Sequence, residues 1–135
     1  EKDLIQKMSI INSLLVEIEN VEKSRLDNKK GKLLNEFNKL NVVIDQNRLE
    51  QEMIYYIEKY DINEELIRLK SHIKLFIEAL KSKSPVGKKL GFICQEIGRE
   101  INTIGSKSND SSLQKYVIEM KDNLEKIKEN ILNIL

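Results

Sequence analysis

The sequence predicts an all-α fold, an elongated bundle of long amphipathic, coiled-coil-like helices, and three observations carry that expectation. Apolar residues recur at alternating spacings of three and four, the period of one helix face. The chain is rich in Leu, Ile, Lys, Glu and Asn, with one Pro, five Gly and no Trp, which favours helix interiors over strands and turns. Apolar residues make up 40% and charged residues 33%, enough for a core inside a heavily solvated surface and too apolar for a disordered chain.

The first stripe, Leu4, Met8, Ile11, Leu15 and Ile18, marks a helix to about residue 27. The polar stretch from Asp27 to Lys32, with Gly31, is a candidate bend or break. Leu33, Leu34, Phe37, Leu40 and Ile44 carry the helix on, and another pattern runs from Arg48 through Leu49, Met53 and Tyr56 to Tyr60. Asp61 followed by Glu64 reads as an N-cap with its capping-box partner. Ile62, Leu66, Leu69, Ile73, Phe76 and Leu80 then repeat in heptad order. Ser82 to Pro85 ends that helix, because proline disfavours helical geometry in the residue before it, and Pro85 suits the opening of the next. Val86, Leu90, Ile93, Ile97, Ile101 and Ile104 form the next stripe, with Gly105 as its C-cap and Ser106 to Asp110 as a polar loop able to cap the last helix. The last stripe is Leu113, Val117, Met120, Leu124, Ile127, Ile131 and Ile134, whose three heptads suit coiled-coil packing within the chain or between chains.

A single cysteine, Cys94, permits no intrachain disulfide, and nothing points to an oxidising compartment. No apolar run approaches the roughly 20 residues that span a bilayer, and Glu1 opens directly on a helical pattern without a signal segment. The expectation is a cytoplasmic chain that does not enter the membrane. A net charge of +1 is not that of a uniformly basic nucleic-acid binder, but charge is segregated along the chain. Asp45, Glu50, Glu52, Glu58, Asp61, Glu64 and Glu65 face only Arg48 and Lys59 in one stretch, whereas Lys81, Lys83, Lys88 and Lys89 follow one another without an acid. Solvated helix faces produce such blocks; so does a metal site beside a phosphate track.

On a helical wheel Lys89, Glu96, Glu100 and Thr103 share one flank of their helix. Glu96 and Glu100 are four apart, so their carboxylates lie about 6 Å apart and can share a divalent cation, or can pair with neighbours such as Lys89 or Arg99. Glu65 and His72 share a flank of the preceding helix with Arg68 slightly further out. Two turns, about 10 Å, separate Glu65 from His72, too far to ligate one ion directly but close enough to line one groove. His72 is the only histidine, so a two-imidazole acid/base ribonuclease cannot be built here; hydrolysis requires a metal-activated water or one histidine partnered by carboxylates. No phosphate-binding glycine loop, dinucleotide fingerprint, zinc cysteines or nucleophile elbow is present. The block Asn102 to Ser108 offers hydroxyls, N–H groups and Lys107 at an expected turn, serviceable for a phosphate or as an ordinary capped turn.

Arg48-Leu49-Glu50-Gln51-Glu52, Asp61-Ile62 with Glu64-Glu65-Leu66, and Arg68-Leu69-Lys70-Ser71-His72, taken in order, resemble the C-terminal half of the YicC/YloC family of bacterial endoribonucleases. Pro85-Val86-Gly87-Lys88-Lys89-Leu90, Gln95-Glu96, Arg99-Glu100 and Asn102 to Ser108 match the same pattern in register, and Glu125 to Asn130 is similar to the family's C-terminus. Gly91, Gly98 and Leu135 depart from it, standing where the family usually has Asp, Asn and Glu. The resemblance implies a metal-dependent RNA-cleaving protein, with manganese the usual ion and magnesium an alternative, assembled as a ring-like homo-oligomer such as a hexamer. RNA is the implied partner, with no DNA or membrane. Residues 1–45 would be a helical connector and 46–135 the C-terminal helical domain, the family's N-terminal half being absent from this chain. The site residues so implied are His72, Glu96 and Glu100 for catalysis, with Glu96, Glu100, Glu65, His72 and Glu52 around the metal. Arg68, Lys88, Lys89, Arg99 and Lys107 would hold RNA. The rival expectation is a non-catalytic helical module for oligomerisation or RNA binding.

Overall fold

The computed structural model describes residues 2–39, 48, 50–52, 54–55, 61–82, 87–108 and 110–134. Among the described residues the long helices are α1 (Lys2–Lys39), α2 (Asn63–Lys81), α3 (Gly87–Lys107) and α4 (Ser111–Ile134). The described residues between Arg48 and Tyr55 are helical as well, and no strand occurs among the described residues. The all-α expectation holds. Expectations for Leu40, Ile44, Leu49, Met53, Tyr56, Tyr60, Pro85 and Val86, and for the side chains of Leu33, Leu34, Phe37 and Ile134, lie outside the described residues.

The apolar stripes become one core. Leu4, Met8, Ile11, Leu15 and Ile18 of α1 are buried together with the stripes of α2, α3 and α4. Helix α1 packs on α4, α4 on α3, α3 on α2, and α2 returns to α1, so each apolar face is covered by two neighbours. The heptads of α1 and α4 are therefore spent inside the chain, against each other. Among the α1 side chains that the structure describes, Glu22 is the last buried one, and Lys23, Ser24, Asp27, Asn28, Lys32 and Asn35 beyond it are exposed. Asn130 Nδ2 donates to Asp3 Oδ2 at 2.9 Å, and Lys70 pairs with Glu19 at 3.4 Å, fixing α4 and α2 to the N-terminal half of α1.

Local details differ from the sequence reading in three places. Helix α1 runs through Asp27 to Lys32 without a break: one glycine costs only about 1 kcal/mol in a helix, and the surrounding Lys and Asn residues tolerate helical geometry. At α2, Asp61 Oδ1 does accept the Asn63 N–H at 2.8 Å, but Ile62 occupies the cap position and is fully buried. Glu64 turns away to Arg68 instead of closing a capping box. Gly105 is not a C-cap, since α3 continues to Lys107. A Cβ on Gly105 would stand 3.2 Å from Val117 Cγ1, and one on Gly98 3.3 Å from Leu124 Cδ2. Both glycines serve the close approach of α3 to α4. The α3 end is capped by Gln114, whose Nε2 donates to the carbonyls of Gly105 and Ser108, each at 2.7 Å. Asp110 caps α4 as expected, accepting the Ser112 N–H at 2.8 Å.

Candidate functional site

Helices α2 and α3 run antiparallel: residues early in α2 meet residues late in α3. That register brings the flank of α2 carrying Glu65 and Arg68 against the flank of α3 carrying Glu100 and Lys107. Arg68 Nε donates to Glu100 Oε1 at 3.0 Å, its Nη1 pairs with Glu64, and its Nη2 lies 3.6 Å from Glu65 Oε1. Lys107 Nζ donates to the same Glu65 oxygen at 2.7 Å and reaches the Asp61 carbonyl at 3.4 Å. Three carboxylates and two cations thus form one connected network.

Burial makes that network unlike a surface ion pair. Glu65 is 3% and Glu100 6% exposed, whereas the Arg68 side chain keeps 43% of its surface. A buried carboxylate must be paired to stay charged, and here each has a cation within hydrogen-bond reach. The bond to Glu100 raises the Arg68 guanidinium further above its ordinary range. Glu65 Oε2 is buried and accepts no hydrogen bond, which typically costs about 1–3 kcal/mol. It is an unpartnered acceptor inside the seam.

The other expected site residues fall in three groups. His72, one turn beyond Arg68 on α2, is at the level of Glu96 on α3 by the register that sets Arg68 against Glu100, and both are half-buried. Glu96 lies 3.9 Å from Arg99 Nη1. Lys88 and Lys89 are exposed at the opposite end of α3, and Arg99 is exposed beside the seam. Glu52 is exposed on the separate helical stretch, 3.9 Å from Arg48 Nε. The block from Asn102 to Lys107 is no turn between helices but the end of α3 itself. Thr103 Oγ1 donates to the Arg99 carbonyl and Ser106 Oγ to that of Thr103, both at 3.0 Å, so these hydroxyls are engaged by their own helix. Glu64 and Gln114 are the contributors that the sequence reading missed; the i,i+4 spacing of Glu64 and Arg68 was the available signal.

Among the described residues no three or more His, Cys, Asp and Glu gather where they could hold a metal ion. Glu100 and one oxygen of Glu65 are already matched to cations. Apart from Glu65 Oε2, the seam does not present a ligand set for a divalent ion by itself.

Fold and site together define, among the described residues, an all-helical module in which two buried carboxylates, Glu65 and Glu100, meet Arg68 and Lys107 in one interhelical seam. The chain belongs to the family described as Endoribonuclease YicC-like, C-terminal, whose family model matches residues 18–135. Among its relatives, a protein of Clostridioides difficile (strain 630) named "Probable endoribonuclease YicC" is 38% identical over 136 residues, covering 98% of this chain and 46% of that protein. One of the same name from Haemophilus influenzae (strain ATCC 51907 / DSM 11121 / KW20 / Rd) is 36% identical over 135 residues, again covering 98% and 46%. The chain therefore spans about half the length of the curated relatives it matches. Among the described residues no helix is long and apolar enough to cross a membrane.

Proposed function

We propose that this chain is the C-terminal part of an endoribonuclease that hydrolyses RNA phosphodiester bonds, and that the α2–α3 seam is the part of its active centre that this chain supplies. The observation that carries the reading is family membership over residues 18–135, alongside relatives named as endoribonucleases. The seam supports it by concentrating buried charge where a structural bundle would place apolar residues. Arg68 and Lys107, anchored on Glu100 and Glu65, are suited to neutralise the charge that builds up at a scissile phosphate. Lys88, Lys89 and Arg99 extend the basic surface along α3 for the RNA backbone. His72, at the level of Glu96, is the candidate proton carrier, with Glu96 and Glu100 as its acidic surroundings.

A divalent cation, manganese or else magnesium, belongs to this reading for the whole protein. Its ligands would include Glu96, Glu100, Glu65, His72 and Glu52 only together with groups that the described residues do not bring to the seam. The parent protein is expected to be a cytoplasmic, ring-like homo-oligomer, which offers a second source of such groups. The test is cleavage of a labelled RNA by the parent protein with manganese and with chelator, beside the same assay on this chain. Cleavage by the parent that chelator abolishes, with little by the chain alone, is expected.

The second reading, an RNA-binding or oligomerisation module without catalysis, draws on the cation pairing of the seam carboxylates Glu65 and Glu100. RNA binding that survives chelation with no cleavage under any ion would select it.

A further inference from the structure

Away from the seam, the first turns of α3 and the last two turns of α4 line an open groove of about 540 Å³, with Gly87, Lys88, Gly91 and Phe92 on one side and Lys128 and Leu132 on the other. Three local features there go against the ordinary rules of helix design, and none serves the core. Phe92 is 63% exposed and Leu132 69%. Lys88 and Lys89 occupy the first turn of α3, which contains no acid, although the helix dipole favours anions at that end. Gly91 lies inside the helix, yet a Cβ there would meet nothing within 4 Å, so packing does not require a glycine. Local choices that cost stability without a packing return mark binding surfaces.

We infer that this groove seats an unpaired base of single-stranded RNA on the Phe92 ring, with Lys88 and Lys128 holding the flanking phosphates. The inference rests on the RNA-cleaving reading and adds a subsite to it. An exposed aromatic ring presents a π-face on which any base stacks, and cations on both sides of it complement a backbone carrying one charge per nucleotide. Gly87 and Gly91, without side chains, leave room in the lining for a flat ring close to the α3 backbone. No carboxylate lines the groove; Glu125, which pairs with Lys128 at 3.4 Å, reaches it from outside the lining. That charge pattern selects a polyanion over a second apolar helix as the occupant.

The chain has no tryptophan, so Phe92→Trp introduces one indole whose emission reports stacking directly. The probe is a fluorescein-labelled oligoadenylate of about twelve nucleotides, with chelator present and salt near 50 mM, where phosphate contacts are strongest. Quenching of the indole on titration is expected. Phe92→Ala and Phe92→Leu should each weaken binding by about 5- to 150-fold, the loss of one stacked base, while Phe92→Tyr retains it. Because the ring is exposed, circular dichroism should be unchanged in all of them. Equal affinity for wild type and Phe92→Ala with unmoved indole emission would overturn the inference and leave the RNA reading intact. A change in sedimentation without a change in RNA affinity would also overturn it, assigning the groove to a protein contact. Absence of any oligoadenylate binding by this chain overturns it as well, and if the parent protein then neither binds nor cleaves RNA, the wider reading falls with it.

Discussion

Arg68 Nε donates to Glu100 Oε1 at 3.0 Å across 32 residues of sequence, and this bond joins a nearly half-exposed guanidinium to a carboxylate that water scarcely reaches. The planar fork also serves Glu64 and approaches Glu65. Arg68→Lys is therefore expected to lower the melting temperature, because one ammonium cannot bond all three carboxylates at once. Arg68→Ala should lower it further, by leaving Glu100 buried without its cation. Circular dichroism melts order the three proteins; equal midpoints would show that the network contributes nothing to the fold.

Neutralising the acids separates chemistry from stability. Glu96→Gln in the parent protein should leave the fold intact and remove most manganese-dependent RNA cleavage. Glu100→Gln should do the same to cleavage with a modest loss of stability, since the amide still accepts from Arg68. His72→Ala is expected to slow cleavage by about a hundredfold to ten-thousandfold if it carries a proton. Wild-type rates in a folded Glu96→Gln, Glu100→Gln double variant would remove these carboxylates from the site.

Leu124 is 3% exposed and sits 3.3 Å from where a Gly98 Cβ would be. Leu124→Asp places an unpaired charge in the α3–α4 joint and should cost several kcal/mol, roughly 3 to 5. Loss of helical signal or a sharply lower melting temperature is the expected result.

Two glycines of α3 should respond oppositely to the same change. Gly91→Ala adds a methyl in open space and should stabilise by about 0.5–1 kcal/mol through helix propensity. Gly105→Ala sets a Cβ 3.2 Å from Val117 Cγ1, and valine in a helix cannot readily rotate away. Overpacking typically costs about 1–3 kcal/mol, so no gain, or a net loss, is expected there in a urea titration.

Burial pushes the Cys94 thiol up to about 12, against the pull of Lys128. An unfolded cysteine ionises near 8.5, so between about 8.5 and 12 the unfolded chain releases a proton that the folded chain keeps. Stability contributed by this group is complete below that window and is lost as pH rises through it. Iodoacetamide at pH 8 should modify the native thiol at least about a hundredfold more slowly than in urea, since only the thiolate reacts.

Helix existence, helix faces and most of the core were legible because they depend on neighbours three and four residues apart. The stripes Leu4 to Ile18, Ile62 to Leu80, Leu90 to Ile104 and Leu113 to Ile131 are buried as their spacing requires, and Asp110 caps α4 through its own next residues. The same locality placed Glu65 and Arg68 near one another on α2 and Glu100 on α3. What the sequence by itself could not determine is which flank meets which. Whether Glu100 answers Glu96 or Arg68 depends on the antiparallel register of α2 against α3, whose apolar stripes, Ile62, Leu69 and Phe76 on one and Ile97 and Ile101 on the other, are buried in the shared core. Whether Gly105 ends a helix or admits a neighbour depends on Val117 of α4, and the cap on α3 comes from Gln114 of that same helix. Periodicity is a property of one helix and was read from the chain; partnership belongs to two helices, and only burial of the shared core, which fixes their relative height, decided it.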